Sequence, residues 1–238
     1  MSSFVLKIIG IITMLCDHYG DAIIGHFSVL NIIGRLAFPI FAYQIAQGYI
    51  HTKNLKKYML RMLAFACISQ LPFYLFLSVF TKDFTLNVFF TFLIALLALY
   101  LFEKIDNKFF ATIVVIILGI LANFLKVDYG AFGVAIIFIF YIYLKIYEKQ
   151  AKTIKLKILC KLELILIFLI IVYLKYVYQF INYIDSNKNY VKLFIGTACG
   201  IIPILLHNGK QGPKCKYLFY IFYPLHLILL WAVNMYLL

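Results

Sequence analysis

The chain has 238 residues, of which 65% are hydrophobic and 13% charged, and its mean hydropathy is +0.98. Soluble domains carry about 25% charged residues. This composition therefore excludes a soluble globular enzyme, a disordered chain and a soluble nucleic-acid-binding domain, and leaves a polytopic membrane protein. The 22 Lys and Arg against 9 Asp and Glu fall mostly in short gaps between apolar runs, a pattern of membrane orientation rather than of nucleic-acid binding.

A spanning helix needs about 20 mostly apolar residues. In chain order the sequence predicts about nine (within eight to ten): 4–24, 29–50, 57–79, 84–103, 108–125, 129–147, 158–182, 189–207 and 216–237. The expected fold is all-α, a transmembrane helix bundle forming one integral-membrane domain over 1–238. One set of gaps carries Lys7, Lys53, Lys56, Lys57, Arg61, Lys104, Lys108, Lys145, Lys149, Lys152, Lys155, Lys157, Lys161, Lys210, Lys214 and Lys216. The other set carries only Lys82, Lys126, Lys175, Lys188 and Lys192. The first set is expected to be cytoplasmic, with the N-terminus inside.

The first run contains Asp17 and His18. His18 stands fourteen residues past Phe4, so about 21 Å along the helix. The second run comes back, and Arg35 lies about 10 Å from its outer end. The two share one depth. Ionisable groups inside a bilayer cost about 2.5–3.5 kcal/mol on insertion scales and persist where they pair or line a wet cavity. Asp17 and Arg35 are natural partners. His18, about 100° round the helix from Asp17, is left to face a cavity, with Asp21 one turn later as a candidate to orient it. The cluster reads either as a polar pin between two helices or as a catalytic base with its supporting charges.

At the inner end stand His51 and Lys53, then Arg61 early in the third run. Most such cations are snorkelling anchors; converging Arg and Lys would also suit a phosphate-bearing donor. Asn87 opens the fourth run, where it either caps a helix or lines a pocket. Asp128, followed by Tyr129 and Gly130, is placed either as a helix cap or as a substrate contact. His207, Asn208 and Lys210 follow the eighth run. In the last run His226 sits near mid-membrane, two residues after Pro224, and reads either as a helix–helix hydrogen bond or as a cavity group. The five cysteines form no CxxC pair and read as buried thiols, with Cys215 a weak candidate for lipidation. No metal-ligand spacing is present.

The runs KIIGIITMLCDHYG, IIGRLAFPIFAYQIAQGYIHTKNLKKYMLRML, NVFFTFLIALLALYLFEK, DYGAFGVAIIFIFY and HNGKQGPKCKYLFYIFYPLHL together resemble the TraX family, named for a protein linked to acetylation of F pilin. That family is similar to the integral-membrane acyltransferases of the acyltransferase-3 type, although their core has ten helices where this chain has nine runs. The resemblance implies a multi-pass protein of the bacterial inner membrane. It further implies an acyltransferase, N- or O-directed, that moves an acyl group, acetyl first, from cytoplasmic acetyl-CoA to an amine or hydroxyl. The acceptor would be a peptide, pilin, glycan or lipid at the membrane or its outer face. The family's polar signature falls on Asp17, His18, Arg35, Arg61, Asn87, Asp128, Lys210 and His226. His18 is then the general base or a transiently acylated nucleophile, supported by Asp17, Arg35 and His226. Arg61, His51 and Lys210 receive the donor, the pantetheine arm passes His226 to reach His18, and Asn87, Asp128 and Tyr129 contact the acceptor. Two other classes compete: a transporter or channel built on the buried ionisable groups, and a non-catalytic membrane assembly factor.

Overall fold

The computed structural model describes residues 1–81, 83–150, 153–182, 189–213 and 217–237; Lys82, Lys152, Lys188, Lys214, Cys215 and Lys216 lie outside them. The described residues are helical in every apolar run of the sequence. The helices are α1 (Ser3–Tyr19), α2 (Val29–Gly34), α3 (Ala37–His51), α4 (Leu55–Leu77), α5 (Val88–Lys104), α6 (Lys108–Phe124), α7 (Gly130–Gln150), α8 (Ile154–Asn182), α9 (Tyr190–Cys199), α10 (Ile201–Leu205) and α11 (Leu218–Leu237). Ser3–Ile24, Val29–His51, Leu55–Leu77 and Leu218–Tyr236 are long and apolar enough to cross a membrane. Large apolar side chains remain exposed on the helix faces, Ile117 at 56% and Leu174 at 58% among them, as a lipid-facing bundle requires and a water-facing one does not tolerate over large patches.

Asparagine sets many of the helix starts, because its short side chain accepts the amides that a first turn leaves without partners. Asn54 takes the amide of Lys57 (2.8 Å), Asn87 that of Phe89 (3.0 Å), Asn107 that of Phe109 (3.0 Å) and Asn189 that of Lys192 (3.1 Å). Three runs are not uniform helices. The first ends in a π-helical turn, Gly20–Ile24, closed by Gly25 in the left-handed conformation (φ 70°). The second breaks after Gly34, so that Arg35 stands at the junction of α2 and α3. The eighth is interrupted at Gly200.

The chain packs as two compact units. Unit 1 holds Met1–Phe41, Leu71–Asp83 and Leu169–Leu238; unit 2 holds Ala42–Gln70 and Phe84–Phe168. In unit 1, α1 packs on α2 and on α11. The backbone amides of Ser3 and Phe4 donate to the carbonyls of Lys210 and Gln211 (2.8 and 3.1 Å), so the start of α1 is tied to the chain that leads into α11. In unit 2, α5, α6 and α7 pack on one another around Phe89, Phe92, Leu96, Ile136, Ile137 and Phe140, which are almost fully buried. Among the cysteines Cys160 is buried, Cys16 and Cys199 are half-buried, and Cys67 departs from the expectation of burial by lying on an exposed face of α4.

Candidate functional site

Asp17, His18, Arg35 and His226 come together in unit 1. Arg35 Nη2 donates to Asp17 Oδ1 at 2.8 Å, as the equal depth of the two residues predicts. Asp17 is 7% exposed. A buried carboxylate and guanidinium hold each other because either alone would be an uncompensated charge. Two glycines allow this approach. A Cβ on Gly34 would stand 2.5 Å from Asp17 Cγ and 2.6 Å from its Cα, and one on Gly196 would strike the carbonyl oxygen of Ile32 and lie 3.2 Å from Arg35 Cβ. Alanine at either position would push α1 or α9 away from α2.

His18 does not take the partner that the one-turn spacing offered. Asp21 accepts a hydrogen bond from Asn31 Nδ2 (2.7 Å). The cause is the π turn from Gly20: a wider turn rotates Asp21 off the face of His18, toward α2. Asn31 also pins the entry to α2, its Oδ1 accepting from the backbone amide of Ser28 at 2.9 Å.

The partner of His18 is His226, with Nδ1 of the first 2.7 Å from Nε2 of the second. The sequence placed these residues at different depths, His226 at mid-membrane and His18 beyond it. The structure places them level. The first and last runs do not start together: α11 begins at Leu218 and reaches His226 in eight residues, whereas α1 takes fifteen residues from Ser3 to His18. At 1.5 Å per residue the start of α11 is therefore about 10 Å further along.

The ring planes differ by 8° and the centroids are 5.0 Å apart. With nitrogens only 2.7 Å apart, the two imidazoles lie end to end in nearly one plane, the geometry of a straight N–H···N bond. Phe76 packs on His18 (4.9 Å), and Phe222 stacks on His226 (4.7 Å, 11°). His226 Nδ1 is 2.8 Å from the carbonyl oxygen of Phe222. A carbonyl only accepts, so His226 Nδ1 carries the proton and, in the neutral ring, Nε2 carries the lone pair. His18 Nδ1 must then be the donor to His226, and the basic nitrogen of His18 is Nε2. A backbone carbonyl thus fixes the tautomer of His18 through one intervening ring. Nearby in unit 1, Tyr176 and Thr197 share a buried 2.6 Å hydrogen bond, and Thr197 Oγ1 donates to the Leu193 carbonyl (3.0 Å).

Asn87, Asp128 and Tyr129 are in unit 2. Asn87 is fully buried: Nδ2 donates to the Ala66 carbonyl (2.8 Å) and to Gln70 Oε1 (2.9 Å), while Oδ1 caps α5. Of the two roles open to it, the structure gives it the cap. Its neighbour Leu86 pairs with the 126–128 turn, the Asp128 amide donating to the Leu86 carbonyl (2.8 Å). Thr91 Oγ1 donates to the Asp128 carbonyl. Asn123 Oδ1 accepts from the Ala131 amide in the first turn of α7 (2.7 Å). Tyr129 adopts φ 64° in that turn. Arg61 of α4 lies over the Tyr58 ring (5.7 Å), and His51 is the exposed last residue of α3. Both belong to unit 2, whereas Lys210 sits in an exposed loop of unit 1.

Glu103, which carries no motif in the sequence, is the centre of a second polar cluster in unit 2. Its carboxylate accepts from Tyr49 (2.7 Å) and Tyr141 (2.6 Å) and pairs with Lys145 (2.6 Å). In the sequence it is a single acid at the end of an apolar run, and the tyrosines at 49 and 141 are too far away in the chain to point to it.

A family model described as TraX protein matches residues 2–234. The "Probable fimbrial assembly protein FimC, serogroup H1" of Dichelobacter nodosus is 30% identical over an alignment of 256 residues, covering 99% of this chain and 97% of that protein. No solved structure matches the chain. Matched by the family along nearly its whole length, this membrane protein belongs to the TraX family.

Proposed function

We propose that the protein is a multi-pass acyltransferase of the bacterial inner membrane that moves an acetyl group from cytoplasmic acetyl-CoA to an amine or hydroxyl acceptor. The observation that carries this reading is the chain His18–His226–Phe222 carbonyl, which leaves the lone pair of His18 on Nε2. His18 Nε2 takes the proton of the acceptor as its nitrogen or oxygen bonds to the thioester carbonyl carbon. The C–S bond then breaks, and the imidazolium returns the proton to the leaving CoA sulfur. General-base action of this kind contributes typically 10²–10⁴-fold. The imidazolium formed in between keeps its Nδ1 proton directed at His226 Nε2. Arg35, neutralised overall by Asp17, adds no net charge before the reaction, yet from the α2–α3 junction its guanidinium can steady the tetrahedral oxyanion. Arg61 is the proposed first contact for the donor phosphates, with His51 as a second cation of the same unit.

The family name and a relative named for fimbrial assembly make the free amine of a pilin-type subunit the first acceptor to test. The experiment is transfer of label from [¹⁴C]acetyl-CoA to a synthetic peptide with a free α-amine and a serine hydroxyl, by the purified chain in lipid nanodiscs. His18→Ala should abolish transfer while the variant still folds, as read by a wild-type circular-dichroism spectrum and a cooperative thermal transition. Wild-type transfer by that variant removes His18 from the chemistry. Solute uptake by wild-type proteoliposomes with no acetyl transfer replaces the reading with a transporter.

A further inference from the structure

Unit 2 holds a cavity of about 480 Å³ between α4 and α5, lined by Lys56, Leu60, Leu63, Leu93, Leu97 and Tyr100 among others. The spacing is the same on both walls. Lys56, Leu60 and Leu63 recur at i, i+4 and i+7 on α4, and Leu93, Leu97 and Tyr100 do so on α5, so each wall is one helix face. The helices run antiparallel, because Asn87 at the start of α5 bonds Ala66 and Gln70 of α4. Lys56 and Tyr100 therefore share one end of the slot, and Leu63 and Leu93 the other. Each wall spans seven residue steps, about 10 Å, roughly a third of a hydrocarbon core of about 30 Å.

The polar end is basic. Lys56 lines the cavity and is exposed, and Lys104 Nζ lies 5.9 Å from the Tyr100 ring centroid. Glu103, beside Lys104 in the chain, is turned to Tyr49, Tyr141 and Lys145, so its carboxylate does not answer these lysines. Both lysines belong to the set of gaps that charge asymmetry assigns to the cytoplasm. An apolar slot about one third of a bilayer deep, with the Lys56 ammonium at its headgroup end and Lys104 beside the Tyr100 that lines it, matches one class of molecule.

We infer that the slot is a binding site for an anionic phospholipid, its phosphate between Lys56 and Lys104 and the upper part of one acyl chain between α4 and α5. The site is independent of the His18 chemistry.

The test is thermal unfolding of the purified full chain in detergent, with added phosphatidylglycerol, phosphatidylcholine of the same chains, or glycerol phosphate. Phosphatidylglycerol should raise the unfolding temperature, and the other two should leave it near its starting value. Lys56→Glu reverses one ammonium of the site and should weaken the phosphatidylglycerol effect about tenfold in half-maximal lipid. Leu97→Trp should remove the effect by filling the slot, whereas Ile117→Trp, on an exposed face of α6, should retain it. Equal stabilisation by phosphatidylcholine would make the contact ordinary solvation by lipid and overturn the inference. Stabilisation by glycerol phosphate alone, or a phosphatidylglycerol effect that survives both Lys56→Glu and Leu97→Trp, would overturn it as well.

Discussion

Gly34→Ala puts a methyl group where Asp17 already stands. The new Cβ would be 2.5 Å from Asp17 Cγ and 2.6 Å from its Cα, against the 3.5–4.0 Å of an unstrained carbon contact. Restoring contact distance means separating α1 and α2 by about 1 Å at this point. The Arg35–Asp17 bond, now 2.8 Å, would open to nearly 4 Å, past hydrogen-bonding range. Overpacking costs about 1–3 kcal/mol and a lost charge-assisted hydrogen bond about 1.5–3 kcal/mol. The backbone entropy gained on replacing a helical glycine returns at most about 1 kcal/mol. The net expectation is a loss of about 2–5 kcal/mol. Gly119→Ala is the matched control. There the new Cβ would lie 3.5 Å from Ala131 Cβ, an ordinary contact, so the same substitution should be neutral or stabilise by up to about 1 kcal/mol. Urea or dodecyl sulfate unfolding of the two variants beside wild type, read by tryptophan fluorescence or circular dichroism, decides the matter. A Gly34→Ala variant within 0.5 kcal/mol (roughly the scatter of surface changes) of wild type would refute the close approach of α1 and α2.

Asp17→Asn should cost about 3–5 kcal/mol, because it leaves the Arg35 charge without its counter-charge, and adding Arg35→Gln should recover part of that loss. The same unfolding assay reads both, and an additive loss in the double variant would contradict the pairing. Asn87→Ala removes the α5 cap, worth about 1 kcal/mol, and takes a buried side-chain donor from the Ala66 carbonyl at about 1–3 kcal/mol more, while Gln70 Oε1 keeps the backbone amide of residue 87 (3.0 Å). It should lower the unfolding temperature and leave the KM for acetyl-CoA unchanged; a raised KM at unchanged stability would move Asn87 from a cap to a ligand contact.

The helices were legible because a spanning helix writes itself as an apolar run, and the Asp17–Arg35 pair because depth follows from residue count along two consecutive helices. The His18–His226 contact was not legible: it joins helices more than two hundred residues apart whose starts are offset, and no count within either run reveals that offset. Asp21 misled for a local reason, since a π turn breaks the one-turn spacing and Gly20 is a weak sign of one. Gly34 and Gly196 carry no pattern at all; only coordinates show which backbone each must admit. The Asn123 contact to α7 was not legible because the turn carries Lys126, Tyr129 and Gly130 at positive φ, which folds α7 back onto the end of α6.

The central claim is that His18 is the base and His226 its orienting partner. Acetyl transfer from labelled acetyl-CoA should be measured for wild type, His18→Ala, His226→Leu and the double variant, in the same nanodiscs. Residues that act as one unit are not additive. The account predicts transfer by wild type, a fall of about 10²–10⁴-fold for His226→Leu, and a double variant no slower than His18→Ala. Absence of transfer by the folded wild-type protein, or His18→Ala working at the wild-type rate, would contradict it.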